Sequence, residues 1–221
     1  MSWKNEVFEK FRLYAVTDMT RENQGAYAGK IESVYRGGAD IVQLRSKSLS
    51  DLELLKIGKT VRRLADRYQK LFFVNDRLDL AIALEADGLH LGQEDIPVSA
   101  AKALALKSGT PLKIGKSTHS YEQALQAQKE GADYIAIGPV FQTPTKATYR
   151  PIGTGCMNAI RKNVRVPWVA IGGIEPGNLS IVLEAGATRI AVVRAIFSAE
   201  NPEQAARALR NEMESHEPAG V

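Results

Sequence analysis

The amino-acid sequence predicts one (β/α)8 barrel domain across all 221 residues. Three observations carry the prediction. Short β-branched runs alternate with longer amphipathic ones, the strands so defined number eight, and a small motif returns at every second strand. The strands are expected at 13–17, 40–45, 71–74, 88–91, 113–117, 134–138, 168–172 and 189–193. Helical patterns fill the gaps. In 52–68, Leu52, Leu55, Val61 and Leu64 share one face, and 121–129 starts after Ser120, a natural N-cap. The motif is Gly38-Ala39-Asp40, echoed as Glu85-Ala86-Asp87, Gly131-Ala132-Asp133 and Gly186-Ala187-Thr188. A small residue ends a helix and the turn leads directly into an even-numbered strand. Each interval holds two βα units. An open doubly wound sheet is disfavoured because no Gly-x-Gly-x-x-Gly follows the first strand. Residues 1–10 are expected to form an N-terminal extension and 215–221 a flexible tail.

Composition bounds the function. Apolar residues make up 44% and charged residues 24%, the balance of a globular chain with a real core. The net charge is +4, but the basic residues are scattered among acids, which suits a small anionic substrate and not nucleic acid. Cys156 is the sole cysteine, so a disulfide framework is excluded and a reducing compartment is expected. Charges at Lys4, Glu6, Glu9 and Lys10 interrupt any signal-peptide pattern, and no segment approaches a membrane span. The cytoplasm is the expected location, with no membrane partner. A homo-oligomer is left open.

Barrels of this kind place chemistry at the C-terminal ends of their strands. There, Gln43, Arg45 and Lys47 are spaced i, i+2, i+4, which should project all three to one side. A buried Arg or Lys requires a carboxylate or a ligand anion; a structural ion pair is the plain alternative. Strand three ends in Asn75-Asp76-Arg77 and strand four runs into Glu94-Asp95, placing two carboxylates at adjacent strand mouths. Two carboxylates with water suit Mg²⁺, although either Asp could equally cap a helix. After strand six, Thr143, Thr145 and Lys146 offer two hydroxyls and an ammonium to a phosphate. Gly172-Gly173 after strand seven and Val193-Arg194 after strand eight stand where barrels bind phosphomonoesters on backbone amides. Two anion sites are implied. Among the histidines, His90 reads as a hydrogen-bonded core residue, His119 beside Ser117 as the better functional candidate, and His216 as part of a polar tail.

Taken together, Leu13-Tyr14-Ala15-Val16-Thr17-Asp18, Val42-Gln43-Leu44-Arg45-Ser46-Lys47, Asn75-Asp76-Arg77, the run from Ala86 to Asp95, Gly138-Pro139-Val140-Phe141, Thr143-Pro144-Thr145-Lys146 and Ala170-Ile171-Gly172-Gly173-Ile174 resemble thiamine phosphate synthase. The resemblance implies a transferase that joins hydroxymethylpyrimidine pyrophosphate to thiazole phosphate. It assigns Gln43, Arg45, Lys47, Asn75 and Lys146 to the pyrimidine pyrophosphate and Asp76 and Asp95 to its Mg²⁺. Ser117 is assigned to the neighbourhood of the reacting centre, with Arg45, Lys47 and Lys146 sharing the catalytic work. Thr143, Thr145, Gly173, Val193 and Arg194 are assigned to the thiazole phosphate. Two departures stand out: Arg194 where many relatives have Ser, and Ser46 where an acid is common. A thiazole tautomerase shares the barrel, but the paired aspartates and the Thr-Pro-Thr-Lys run present here set this chain apart from that branch. A regulatory barrel that binds a phosphate ligand without turnover would need no metal-assisted leaving-group site.

Overall fold

A computed structural model describes residues 2–144 and 149–216. Eight parallel strands close into a barrel in sequence order: β1 (Leu13–Val16), β2 (Ile41–Leu44), β3 (Leu71–Asn75), β4 (Gly88–Leu91), β5 (Lys113–Thr118), β6 (Tyr134–Ile137), β7 (Trp168–Ile171) and β8 (Ile190–Val192). Each lies within one residue of its expected bounds at both ends. The register closes with Tyr14 opposite Ile41 on one side and Ala191 on the other.

The helices are α1 (Trp3–Lys10), α2 (Gln24–Arg36), α3 (Asp51–Tyr68), α4 (Leu78–Ala83), α5 (Val98–Lys107), α6 (Tyr121–Lys129), α7 (Met157–Asn163), α8 (Leu179–Glu184), α9 (Arg194–Phe197) and α10 (Pro202–Ser215). Local chemistry starts the two that were expected. Ser50 and Glu53 form a capping box on α3, and the Ser120 hydroxyl accepts from the Gln123 amide at 3.2 Å at the start of α6. The face of α3 matches expectation in part. Val61 is buried and Leu55 and Leu64 pack against the core, whereas Leu52 is 61% exposed. Leu54, Gly58 and Ala65 are buried as well, and a reading weighted to large side chains overlooks the two small ones.

The stretch expected as an N-terminal extension is a structural element. Helix α1 lies across the N-terminal mouth, where Phe8 stacks at 6.4 Å on Phe73 and meets Tyr134 edge-on at 6.2 Å. With Phe11, Tyr14 and Leu71 they fill the lower barrel, a separate apolar cluster from the larger one between strands and helices. Burying a large apolar side chain such as Phe8 contributes about 2–3 kcal/mol. Of the expected tail, 217–221 lies outside the described residues.

The repeated Gly-Ala-Asp motif has a physical role at this same rim. Asp40 Oδ2 accepts from the amides of Arg12 at 2.8 Å and Leu13 at 3.2 Å, the entry to β1. Asp87 Oδ2 accepts from Phe72 N on β3 at 2.8 Å, and Asp133 Oδ2 from Ile114 N on β5 at 2.7 Å. Each aspartate at the foot of an even strand thus ties down the odd strand before it. Each is also neutralised: Asp40 by Lys70 and Arg210, Asp87 by Lys4 and Arg62, Asp133 by Lys102. Burial alone would raise the Asp40 pKa, but Lys70, the Arg12 amide and Arg210 outweigh it and hold the carboxyl below its usual range. The fourth copy has Thr188 instead, and β7 and β8 share the shortest ladder, Ala170 with Ile190 and Ile171 with Ala191.

Candidate functional site

Along the barrel axis the interior changes from aromatic to polar. Above Phe73, Tyr14 and Tyr134 the inward positions become Gln43, Asn75, His90 and Ser117, and they open into a cavity of about 380 Å³ at the C-terminal rim. Val16, Ala136, Val169 and Ala191 also line it, so the floor is small and apolar while the wall is polar. Such a cavity holds a small molecule and excludes much of its water.

Strand β2 supplies the cation. Gln43 is buried and its amide nitrogen donates to the Tyr14 hydroxyl at 2.6 Å. Arg45 follows two residues later on the same side and lines the cavity. It is held by a 2.5 Å ion pair to Asp18 and by its amide, which donates to Thr17 Oγ1 at 2.8 Å. The structural ion pair weighed in the sequence therefore exists, and it fixes the guanidinium at the wall of the cavity. The alternation stops there. Ser46 donates to Met19 O at 2.7 Å and accepts from the amides of Ser48 and Leu49 at 3.2 and 3.1 Å. That turn leaves Lys47 exposed and away from the cavity lining, contrary to the expectation from spacing.

The two aspartates sit on adjacent strand ends, as expected, and neither occupies a helix N-cap position. The Asp76 amide donates to His90 O at 2.8 Å, joining the ends of β3 and β4. Its backbone is left-handed, at φ 60°, which aims the chain sharply away from the strand. Asp95 Oδ2 accepts from the Gly92 amide at 2.6 Å and closes the loop after β4. The N-cap positions of α4 and α5 are Arg77 and Pro97, neither with a side-chain cap. Arg77 instead reaches Asp79 at 2.6 Å and pairs with Asp51. No group of three or more metal-ligating side chains occurs among the described residues. Neither aspartate lines the cavity wall itself.

On the opposite side Thr143, Gly173, Val193 and Arg194 line the cavity together. The loop after β7 requires glycine: Gly173 has φ 68°, and a Cβ there would lie 2.7 Å from Gln142 O. Asn178 secures that loop, donating to Gly173 O at 2.8 Å and accepting from Glu175 N at 3.0 Å. Thr145 and Lys146 lie outside the described residues.

His119 lines the cavity beside Ser117, its ring 4.3 Å from that of Tyr149 and its Nδ1 against Gly138 O. His90 is both what the sequence suggested and more. It is a buried, hydrogen-bonded core residue, with Nδ1 2.8 Å from Tyr134 Oη, and its Nε2 lies 2.8 Å from Ser117 Oγ in the cavity. Tyr14 was not singled out by sequence, although the alternation of β1 puts it on the same side as Val16. Burial pushes its hydroxyl pKa up, so it stays protonated.

Comparison with known proteins places the chain among relatives. A family profile described as thiamine monophosphate synthase matches residues 13–196. The thiamine-phosphate synthase of Thermus thermophilus is 45% identical over 204 residues, 91% of this chain and 97% of that protein. The thiamine-phosphate synthase of Synechocystis sp. is 45% identical over 201 residues, 91% of this chain, and there the chain spans only 57% of the relative's length. The solved structure of thiamine phosphate pyrophosphorylase from Pyrococcus furiosus superposes with a TM-score of 0.84 at 40% identity, covering 97% of this chain and 98% of that one. A profile spanning most of the barrel, and a relative 45% identical that is matched over 97% of its own length, show that the chain belongs to the thiamine monophosphate synthase family.

Proposed function

We propose that the protein transfers the hydroxymethylpyrimidine group from its pyrophosphate to 4-methyl-5-(2-phosphoethyl)thiazole, releasing pyrophosphate and giving thiamine monophosphate. The observation that carries the reading is convergence. Gln43, Arg45, Asn75, Ser117, Thr143, Gly173, Val193 and Arg194 come from six different strand ends and line one cavity. The family relationship supports the same activity.

In this reading the C–O bond between the pyrimidine methylene and the pyrophosphate breaks first, with its electron pair leaving on oxygen. The thiazole nitrogen then supplies its lone pair to the methylene cation. Arg45 faces the side on which negative charge grows, so it stabilises the transition state more than the ground state. Gln43 and Asn75 orient the ring. The apolar floor of Val16, Ala136, Val169 and Ala191 keeps water from capturing the cation. Thr143 and the backbone around Gly173, Val193 and Arg194 hold the thiazole phosphate. By the resemblance Thr145 joins the thiazole phosphate site and Lys146 the pyrophosphate site, and Lys47 would have to swing inward to take part.

Asp76 and Asp95 fit a hard divalent cation. Both are carboxylates on neighbouring loops, and the hydrogen bond from Gly92 engages one oxygen of Asp95 and leaves the other for a ligand. Mg²⁺ bound there would neutralise charge on the departing pyrophosphate. The test is incubation of the purified protein with both substrates and Mg²⁺. Thiamine phosphate and pyrophosphate should appear in equal amounts; a protein that releases neither, or that only isomerises a thiazole, overturns the reading. Asp76→Ala and Asp95→Ala should each raise the Mg²⁺ requirement, and unchanged Mg²⁺ dependence in both removes the metal assignment.

A further inference from the structure

Five side chains from five strands form one chain of hydrogen bonds at the base of the cavity, and all but Tyr134 line it. Gln43 Nε2 donates to Tyr14 Oη at 2.6 Å, Tyr14 Oη lies 2.9 Å from Tyr134 Oη, Tyr134 Oη lies 2.8 Å from His90 Nδ1, and His90 Nε2 lies 2.8 Å from Ser117 Oγ. The two tyrosines and Gln43 are buried. Gly115 makes room for the arrangement, since a Cβ there would fall 2.1 Å from the Tyr134 ring.

Counting protons gives the chain a direction. The amide nitrogen of Gln43 is donor only, so Tyr14 accepts from it and has its single hydrogen left for Tyr134. Tyr134 then spends its own hydrogen on His90 Nδ1. With Nδ1 accepting, His90 carries its own proton on Nε2 and donates it to Ser117 Oγ. The reverse order would leave the Tyr14 hydrogen without an acceptor in the core, a costly arrangement. We propose that Tyr14, Tyr134 and His90 are positioning residues that fix the Ser117 hydroxyl as a donor aimed at the bound substrate, and so prevent it from acting as a base. Burial raises the pKa of both tyrosines, which keeps one hydrogen on each across the working pH range. The chain also links two walls of the cavity. A ligand that turned the Gln43 amide over would reverse every bond and make Ser117 an acceptor.

The role assigned to the donor rests on the proposed transfer reaction; the direction of the chain does not. ¹⁵N NMR of the ligand-free protein labelled at histidine reads the direction without any assay, with the His90 signals assigned by their loss in His90→Gln. The expected spectrum has His90 protonated on Nε2 and bare on Nδ1; a proton on Nδ1 overturns the inference. Steady-state kinetics then test the role. Tyr134→Phe should lower kcat roughly tenfold with little change in KM, and the same substitution in a Ser117→Ala background should change kcat less than about twofold, because the intermediary is gone. A full tenfold loss in both backgrounds overturns it. Tyr14→Phe breaks the chain one bond earlier and is read in the same way should Tyr134→Phe fail to fold.

Discussion

The two ends of the barrel carry similar charged side chains for opposite ends. At the N-terminal rim Asp40, Asp87 and Asp133 are each matched both by cations and by strand amides. At the C-terminal rim Arg45 has one partner, Asp18, which is 43% exposed, and its guanidinium stands at a cavity wall. A charge satisfied on all sides holds strands together, whereas one satisfied on one side only is available for a ligand anion. The same chemistry thus divides into structure and function by how many of its hydrogen bonds the protein itself completes.

That contrast can be broken by substitution. The largest effect is expected at the upper rim: Arg45→Ala should reduce kcat/KM by about 10²–10³-fold, or about 2.7–4 kcal/mol of transition-state stabilisation, while the melting temperature moves little. Parallel assay and thermal melting decide it, and a large loss of stability with activity per folded molecule retained would falsify the division. At the lower rim Phe8→Ala should show the reverse, costing about 3–4 kcal/mol in urea unfolding with kcat unchanged.

Asp40→Asn sharpens the same comparison through pH. Its carboxyl is held below the ordinary value in the folded protein, so its contribution is full above the unfolded pKa and fades as pH falls through the lowered one. The substitution should therefore cost about 2–3 kcal/mol at neutral pH. The gap from the unsubstituted protein should close below pH ~4, the ordinary carboxyl range. A gap independent of pH would mean that shape and not charge is what matters at that position. The smallest effect is expected for Leu52→Ser on the exposed side of α3, within about 0.5 kcal/mol.

Much of this was legible in the sequence, for a physical reason. The alternation of short β-branched runs with longer amphipathic ones and the Gly-Ala-Asp echo are local signals, and the barrel repeats them, so strand number and order followed. Arg45 was placed by the i, i+2 spacing from Gln43. Lys47 was not, because the turn that diverts it depends on Ser46 reaching Met19, a contact 27 residues away. On α3 only Leu52 was misplaced, and the small residues Gly58 and Ala65 were missed because they carry little apolar signal; α1 was missed because charges on one side of a helix conceal Phe8 on the other. Tyr14 and Tyr134 are separated by 120 residues, and nothing short of the closed barrel brings their hydroxyls together.

Thr188, standing where the other three copies of the motif have two aspartates at glycine-led turns and one after Glu85, leaves a ring fastened unevenly. The join of β7 to β8 has both the shortest ladder and no carboxylate rivet. A hoop parts at its weakest weld, so partial opening under heat or denaturant should begin there, with amide exchange fastest along β8. Since Gly173 and Val193 follow those same two strands, the proposed grip on a phosphate would slacken before the cylinder as a whole gave way.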